Sequence, residues 1–431
     1  MKSNVIKYIF FIAVIIIVGV AGYMIYEDNK SNSENTENQT TAQTNQTITD
    51  LRMEIVSYDT INPLISNNRN VQEITKLVFE PLLQLDENYK LQPCLATEWA
   101  KSGDTSYILK LRSNVKWQDG TSFTAQDVKY TIETLKQINS IYSYNVQHIA
   151  SVDIIDNYSI RINLDTIIPF FEYNLIFPIV SSTYFAGQDI QNTDKNATPI
   201  GTGMYKIESN STSTVVLKKN TSWWNISEKN AKVDTINVNK YSSMGEAYNA
   251  FKLGNIDILT TENINIEDNI GTIGYNKKEF YGREHDFIAL NTYDNFLSRW
   301  EVRKAISYAI DKSSIVTSVY GGKYYTADNP LDYGNWTFDQ GSSSTGYNPD
   351  QAKQVLIDGG WSYKYGSWQK VENYRTIRLS INLTVNADNS SQVAVADIIK
   401  SSLENIGIKV NVSKLNKAAG SKFSKFSDSF K

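Results

Sequence analysis

The sequence predicts an α/β fold, and three observations carry that prediction. Segments with helical spacing of apolar residues alternate with short β-rich runs, the connections are short, and in two places a helix passes through one glycine into a strand. Those two places are GEAYNAFKLGNIDIL (245–259), interrupted at Gly254, and SSQVAVADIIKSSLENIGIKVNV (390–412), interrupted at Gly407. At 431 residues the chain exceeds the size at which one hydrophobic core keeps growing, so two or more domains are expected.

In chain order, residues 8–26 (YIFFIAVIIIVGVAGYMIY) come first: 19 residues without a charge. As a helix they extend about 28 Å, close to the ~30 Å hydrocarbon core, and predict a transmembrane helix, with a cleaved signal as the rival. Lys2 and Lys7 precede this segment and Glu27 and Asp28 follow it, which puts residues 1–7 in the cytoplasm and the body outside. Residues 27–49 are almost wholly polar and read as a flexible tether with an average reach of about 25 Å.

The body opens with the β-rich run LRMEIVSYDTINPLI (51–65). VQEITKLVFEPLLQL (71–85) has helical spacing at Val71, Ile74, Leu77, Val78 and Leu82, and Pro81 sets the limit of the helix. TSYILKLRSNVKW (105–117) alternates Tyr107, Leu109 and Leu111 against Lys110 and Arg112, a half-buried strand, and VDIIDNYSIRINL (152–164) reads as a hairpin turning at Asp156-Asn157. SRWEVRKAISYAIDKSSIVTSVYGG (298–322) places Val302, Ala305, Ile306, Ala309 and Ile310 on one helical face and stops at a double glycine. NPDQAKQVLIDGGW (348–361) is a further helix.

Several chemistries find no centre. Forty-two basic and 46 acidic residues leave a net charge of -4, which supplies no single-signed field for nucleic acid. One cysteine, Cys94, and two histidines, His148 and His285, supply neither an internal disulfide nor a zinc cluster, and no cofactor is expected. GTG at 201–203 lacks the spacing of a nucleotide loop, and GSSSTG (341–346) is not a nucleophile elbow. In VKWQDGTSFTAQDVKYTIETL (115–135), Asp119 before Gly120 is a turn former, and Thr124 with Asp127 fits a capping box ahead of a buried Val128, Ile132 and Leu135 stripe. Both acids are read as scaffold. Twenty-seven Tyr and eight Trp are an aromatic load that suits packed cores and clefts gripping varied ligands.

The order of the pieces is more specific than any one of them. NPLISNNRNVQEITKLVFEPLLQLDENYKLQPCLATEWAKS, YILKLRSNVKWQDGTSFTAQDVKYTIETL, PIGTGMYKI, WWN, EVRKAISYAIDKSSIV, YNPDQAKQVLIDGGW and IIKSSLENIGIKVNV follow one another from residue 51 to about 415. In that succession the chain resembles the family 5 extracellular solute-binding proteins of peptide-type (oligopeptide, dipeptide or nickel) ABC importers.

The resemblance implies a periplasmic-binding-protein-like, two-lobe clamshell (type II, cluster C) with an extra α/β domain, here preceded by one transmembrane helix. It assigns 51–66 and 181–285 to lobe I, 67–180 to the extra domain and 286–431 to an incomplete lobe II, because the family pattern continues past this C-terminus. It implies a monomer without catalysis that captures a small peptide or similar solute and passes it to ABC permease and ATPase subunits. A ligand-sensing receptor of the same fold, or a shortened copy that no longer functions, are the alternatives. By positional match, Asn67, Asn68, Arg69, Tyr142, Thr260, Thr261 and Glu262 are the implied ligand-facing residues.

Overall fold

The computed structural model of the protein describes residues 49–280, 282, 285–327, 346–387 and 389–415. The predicted membrane span at 8–26, tether residues 27–48 and residues 416–431 lie outside the described residues. Among the described residues, no helix is long and apolar enough to cross a membrane.

β1 (Asp50–Val56) opens the body with Ile55 buried, and α1 (Arg69–Thr75) follows. The expected run of α1 to Pro81 is corrected here: the helix ends at Thr75. Tertiary pairing takes the backbone that would have continued it. The Gly203 N–H donates to the Val78 carbonyl at 2.8 Å, and the Tyr205 N–H to that of Leu77 at 2.9 Å. A Cβ on Gly201 or Gly203 would run into the Val78 and Leu77 carbonyls, so the two glycines of the GTG stretch exist for this close approach of two backbones.

β2 (Leu83–Leu85) and β3 (Leu91–Pro93) form a small ribbon, and β4 (Ala96–Lys101) and β5 (Ser106–Leu111) begin a larger sheet. After α2 (Ala125–Gln137) and α3 (Ser143–Val146), β6 (Ile149–Asp156) and β7 (Ser159–Leu164) complete it in the antiparallel order β4-β5-β7-β6. Tyr107, Leu109 and Leu111 point inward, as the alternation predicts. In α2, Val128, Ile132 and Leu135 are almost fully buried, worth about 1.5–3 kcal/mol each.

β8 (Tyr205–Asn210), β9 (Thr214–Lys219) and β10 (Thr235–Tyr241) return the chain to its start in the order β1-β10-β9-β8. The β1–β10 pair is parallel, with Glu54 opposite Asn239. α4 (Met244–Lys252) packs on β1 and β10 and gives way at Gly254, whose φ is +71°. The strand expected after it amounts to a single parallel bridge, Met53 to Ile258.

The short α5 (Glu267–Ile270) precedes a second cluster of elements. The single helix expected over 298–322 is two, α6 (Trp300–Ala309) and α7 (Lys312–Tyr320). Ile310 turns extended, and the Asp311 carboxylate accepts the Ser314 N–H at 3.0 Å, capping a new helix. α8 (Pro349–Asp358) begins with Pro after an Asn348 cap, and β11 (Ser362–Lys364), β12 (Ser367–Glu372) and β13 (Arg375–Arg378) form a meander. β14 (Ser380–Asn386), α9 (Ser390–Asn405) and β15 (Lys409–Leu415) form a βαβ unit with parallel strands, and Gly407 (φ +87°) makes the turn from helix to strand. Among the described residues, most buried apolar side chains fall into two clusters, one spanning Ile55 to Val238 and the other Leu297 to Val410.

Sequence pieces that are far apart converge on two buried carboxylates in the first cluster. Glu80 accepts the indole N–H groups of Trp223 (3.0 Å) and Trp224 (2.9 Å) and the Thr202 hydroxyl (2.7 Å). Burial nevertheless pushes its carboxyl above the usual range. Asp127 accepts the Thr124 N–H at 2.9 Å, the Trp117 indole at 3.2 Å, and the Ser182 N–H and hydroxyl at 2.8 Å. Gln118 joins the same region, donating its backbone N–H to Gly201 O and its side-chain amide to Tyr205 O. Cys94 is buried, and burial raises its thiol pKa, so it packs as a small apolar group.

Candidate functional site

The implied site residues gather where β1 ends and α1 begins. Asn68 caps α1: its Oδ1 accepts the N–H groups of Asn70 (2.8 Å) and Val71 (3.3 Å). Its Nδ2 donates to the carbonyls of Val56 (2.8 Å) and Ser57 (2.6 Å). Both amide hydrogens and both lone pairs of the side chain are therefore in use, and Asn68 shapes the wall while having no polar capacity left for a ligand. Asn67 is exposed, with its backbone N–H held by Asp59 Oδ2 at 2.8 Å.

Arg69 and Glu262 lie 193 positions apart in sequence and meet directly, the Arg69 Nη1–H donating to Glu262 Oε1 at 2.6 Å. Both side chains are more than half exposed, 54% and 70%, so solvent screens the pair and it contributes little to stability. It does place a cation and an anion side by side at the surface. The segment carrying Glu262 is suspended at two further points. The Thr260 N–H donates to Glu54 Oε1 at 2.7 Å, and the Thr261 hydroxyl shares a 3.0 Å hydrogen bond with that of Tyr248 on α4.

Tyr142 is tied to α1 from its other side. Its hydroxyl donates to Gln72 Oε1 at 2.8 Å, while Gln72 Nε2 donates to the carbonyls of Pro63 and Ser66. Burial foremost, with help from the Glu73 carboxylate, pushes the Tyr142 hydroxyl up to about 12, so it stays neutral. Of the seven implied residues, the structure brings Arg69 and Glu262 into contact. It links Tyr142 to the same helix through Gln72, and holds Thr260 and Thr261 by partners outside the set.

The partner that sequence reasoning missed is Glu54, which is only 4% exposed. The signal was present as an acid interrupting an apolar β run, LRMEIV. A shallow depression of about 490 Å³ sits beside this wall, at the carboxyl ends of β1 and β10. It is lined by Ser57, Tyr58, Thr212, Lys240, Tyr241 and Ser242, and none of the implied residues lines it. Lys240 is fully engaged there: its ammonium lies 3.7 Å from the centre of the Tyr58 ring and donates to Asn210 Oδ1 and Ser211 O.

The two acids of the 115–135 stretch lie elsewhere. Asp119 Oδ1 accepts the Thr121 N–H and hydroxyl around Gly120, whose φ is +89°. Asp127 is the buried anchor already described. Among the described residues, no group of three or more His, Cys, Asp or Glu side chains is arranged to hold a metal ion.

Comparison with known proteins gives consistent results. The chain is 25% identical over 374 residues to the glutathione-binding protein GsiB of Shigella boydii, an alignment covering 84% of this chain and 68% of that protein. Its structure superposes on NikZ from Campylobacter jejuni in complex with Ni(L-His) at a TM-score of 0.65 and 26% identity, covering 85% of this chain and 74% of that one. The oligopeptide-binding protein AppA from Bacillus subtilis, in complex with a nonapeptide, shares the fold at a TM-score of 0.60 and 21% identity, covering 86% and 76%. The profile of the bacterial extracellular solute-binding proteins, family 5 (middle region), matches residues 90–429. The chain therefore belongs to the family 5 bacterial extracellular solute-binding proteins, which bind peptides or other solutes and work with ABC permeases.

Proposed function

We propose that this protein captures a small peptide outside the cell and delivers it to an ABC permease, with no catalysis of its own. The observation that carries the peptide reading is the exposed Arg69–Glu262 pair, which offers charges of both signs to a zwitterionic ligand on one wall. The similarity to a glutathione-binding protein, whose ligand is itself a peptide, supports it. Asn67, Thr260 and Thr261 would add polar contacts, and Tyr142 an aromatic flank. In this reading 51–66 and 181–285 form lobe I, 67–180 the extra domain and 286–431 the second lobe. Residues 8–26 hold the monomeric body at the outer membrane face.

The test is thermal shift and calorimetry on the full chain with glutathione, trialanine and nickel–L-histidine, together with native mass spectrometry for retained solute. A peptide at a hundredfold excess over its Kd should stabilise the protein by about 2.7 kcal/mol. Arg69→Ala and Glu262→Ala should each weaken peptide binding about tenfold or more, with unfolding unchanged within about 0.5 kcal/mol. Binding of the nickel chelate alone would move the assignment away from peptides.

A further inference from the structure

We infer that Glu54 is a positioning residue for the segment 260–262, which the Proposed function places against ligand. β1 is an edge strand of its sheet. Arg52 and Asp257 are locked together, the guanidinium donating to both carboxylate oxygens at 3.0 and 2.6 Å. The Arg52 carbonyl accepts the Asp257 and Ile258 N–H groups, and Met53 bridges to Ile258 in parallel. The next rung of a parallel ladder would carry the Thr260 N–H to the Glu54 backbone carbonyl. It goes instead to the Glu54 side chain, at 2.7 Å.

That substitution changes where the chain leaves the sheet. A side-chain acceptor reaches further than a carbonyl, so the backbone at Thr260 peels away from β1 and is still held at its point of departure. One residue later Thr261 is tied to Tyr248, and at the next position Glu262 reaches Arg69. Glu54 thus sets the start of the arm whose end carries the charge pair.

The second oxygen, Glu54 Oε2, is buried and has no hydrogen-bond partner among the described residues. A side chain kept only for packing would be better replaced by an apolar one, because a half-satisfied buried carboxyl disfavours the fold. What ties this buried acid to the rest of the wall is its hydrogen bond to the Thr260 N–H. Burial also pushes this carboxyl above the ordinary carboxylate range, the Thr260 bond opposing the shift.

This inference rests on the peptide-binding reading for its functional meaning, so the experiment has one arm that needs no ligand. Glu54→Met and Glu54→Gln are made in the full chain. Amide hydrogen exchange over 260–262 is measured without ligand, and affinity is measured with glutathione and trialanine as probes. Glu54→Met should speed exchange at least tenfold over 260–262, leave Tm unchanged or raised, and weaken probe binding at least tenfold. Glu54→Gln, whose amide oxygen can still accept the Thr260 N–H, should restore both to within threefold of wild type.

Unchanged exchange in Glu54→Met would overturn the inference, as would a fall in Tm that Glu54→Gln does not rescue, since that marks a general packing role. If wild type binds neither probe, the Proposed function fails. The exchange arm then still decides whether Glu54 holds the segment.

Discussion

The region built on β1–β10 and the region from α6 to β15 are held together differently. In the first, buried carboxylates collect donors from remote segments, as Glu80 does from Thr202, Trp223 and Trp224, and Asp127 from Trp117 and Ser182. In the second, apolar helix faces carry the packing, with α6 against α8 and α9 against β15, and ion pairs such as Arg299–Glu372 sit at the margin. Glu301 is its one deeply buried acid among the described residues, and its contact with the Trp361 indole is a long 3.4 Å. The difference teaches that in the first region a few polar acceptors add long-range ties to a large apolar core, while the second relies on apolar area almost alone.

The comparison can be broken at its strongest point by Glu80→Ala. Stranding two indole N–H groups and a hydroxyl in a buried site should cost about 4 kcal/mol. The check is denaturant unfolding: a loss under 1 kcal/mol would remove Glu80 as an organiser. Asp127→Ala comes next. As a helix cap alone it would cost about 1 kcal/mol, but a buried acceptor of four donors should cost about 3 kcal/mol. A measured value near the lower figure would return Asp127 to a local role.

Leu356→Ala tests the other region. Leu356 is fully buried between α8 and its neighbours, so truncation should cost about 2–3 kcal/mol through lost transfer energy and a cavity. If the regions unfold separately, calorimetry should show Glu80→Ala moving one transition and Leu356→Ala the other.

The smallest effect is expected from Arg299→Ala, and its sign depends on pH. The Arg299 guanidinium holds the Glu372 carboxyl below its usual range, so the pair stabilises the fold above the ordinary carboxylate pKa. That contribution is lost as pH falls through the depressed folded value. The Tm difference between Arg299→Ala and wild type should therefore be present at pH 7 and shrink in acid; a difference that grows in acid would contradict the assignment.

Much of the fold was legible because its signals are local. The turn at Asp119-Gly120, the Thr124–Asp127 pairing and the stops at Gly254 and Gly407 each follow from backbone geometry within a few residues. The fold departs most from the local pattern where a distant partner competes. α1 stops at Thr75 because the backbone at 77–78 is claimed by 203–205, and no periodicity in 71–85 reports that claim. The break at Ile310 was recoverable, since an Asp three residues before a Ser can cap, but the apolar stripe on both sides concealed it.

The candidate site divides in the same way. The membership of the family is legible in the succession of motifs, and the resemblance names 67–69, Tyr142 and 260–262 as candidates. Their individual roles are not legible there. That Asn68 is saturated by four backbone groups, that Arg69 finds Glu262 across 193 positions, and that Glu54 takes the place of a ladder rung are facts of three-dimensional proximity. Periodicity, caps and turns are written by interactions within a few residues, so the chain alone specifies them. Which donor meets which acceptor depends on how packed elements bring remote backbone and side chains within about 3 Å, and that is settled when the layers close.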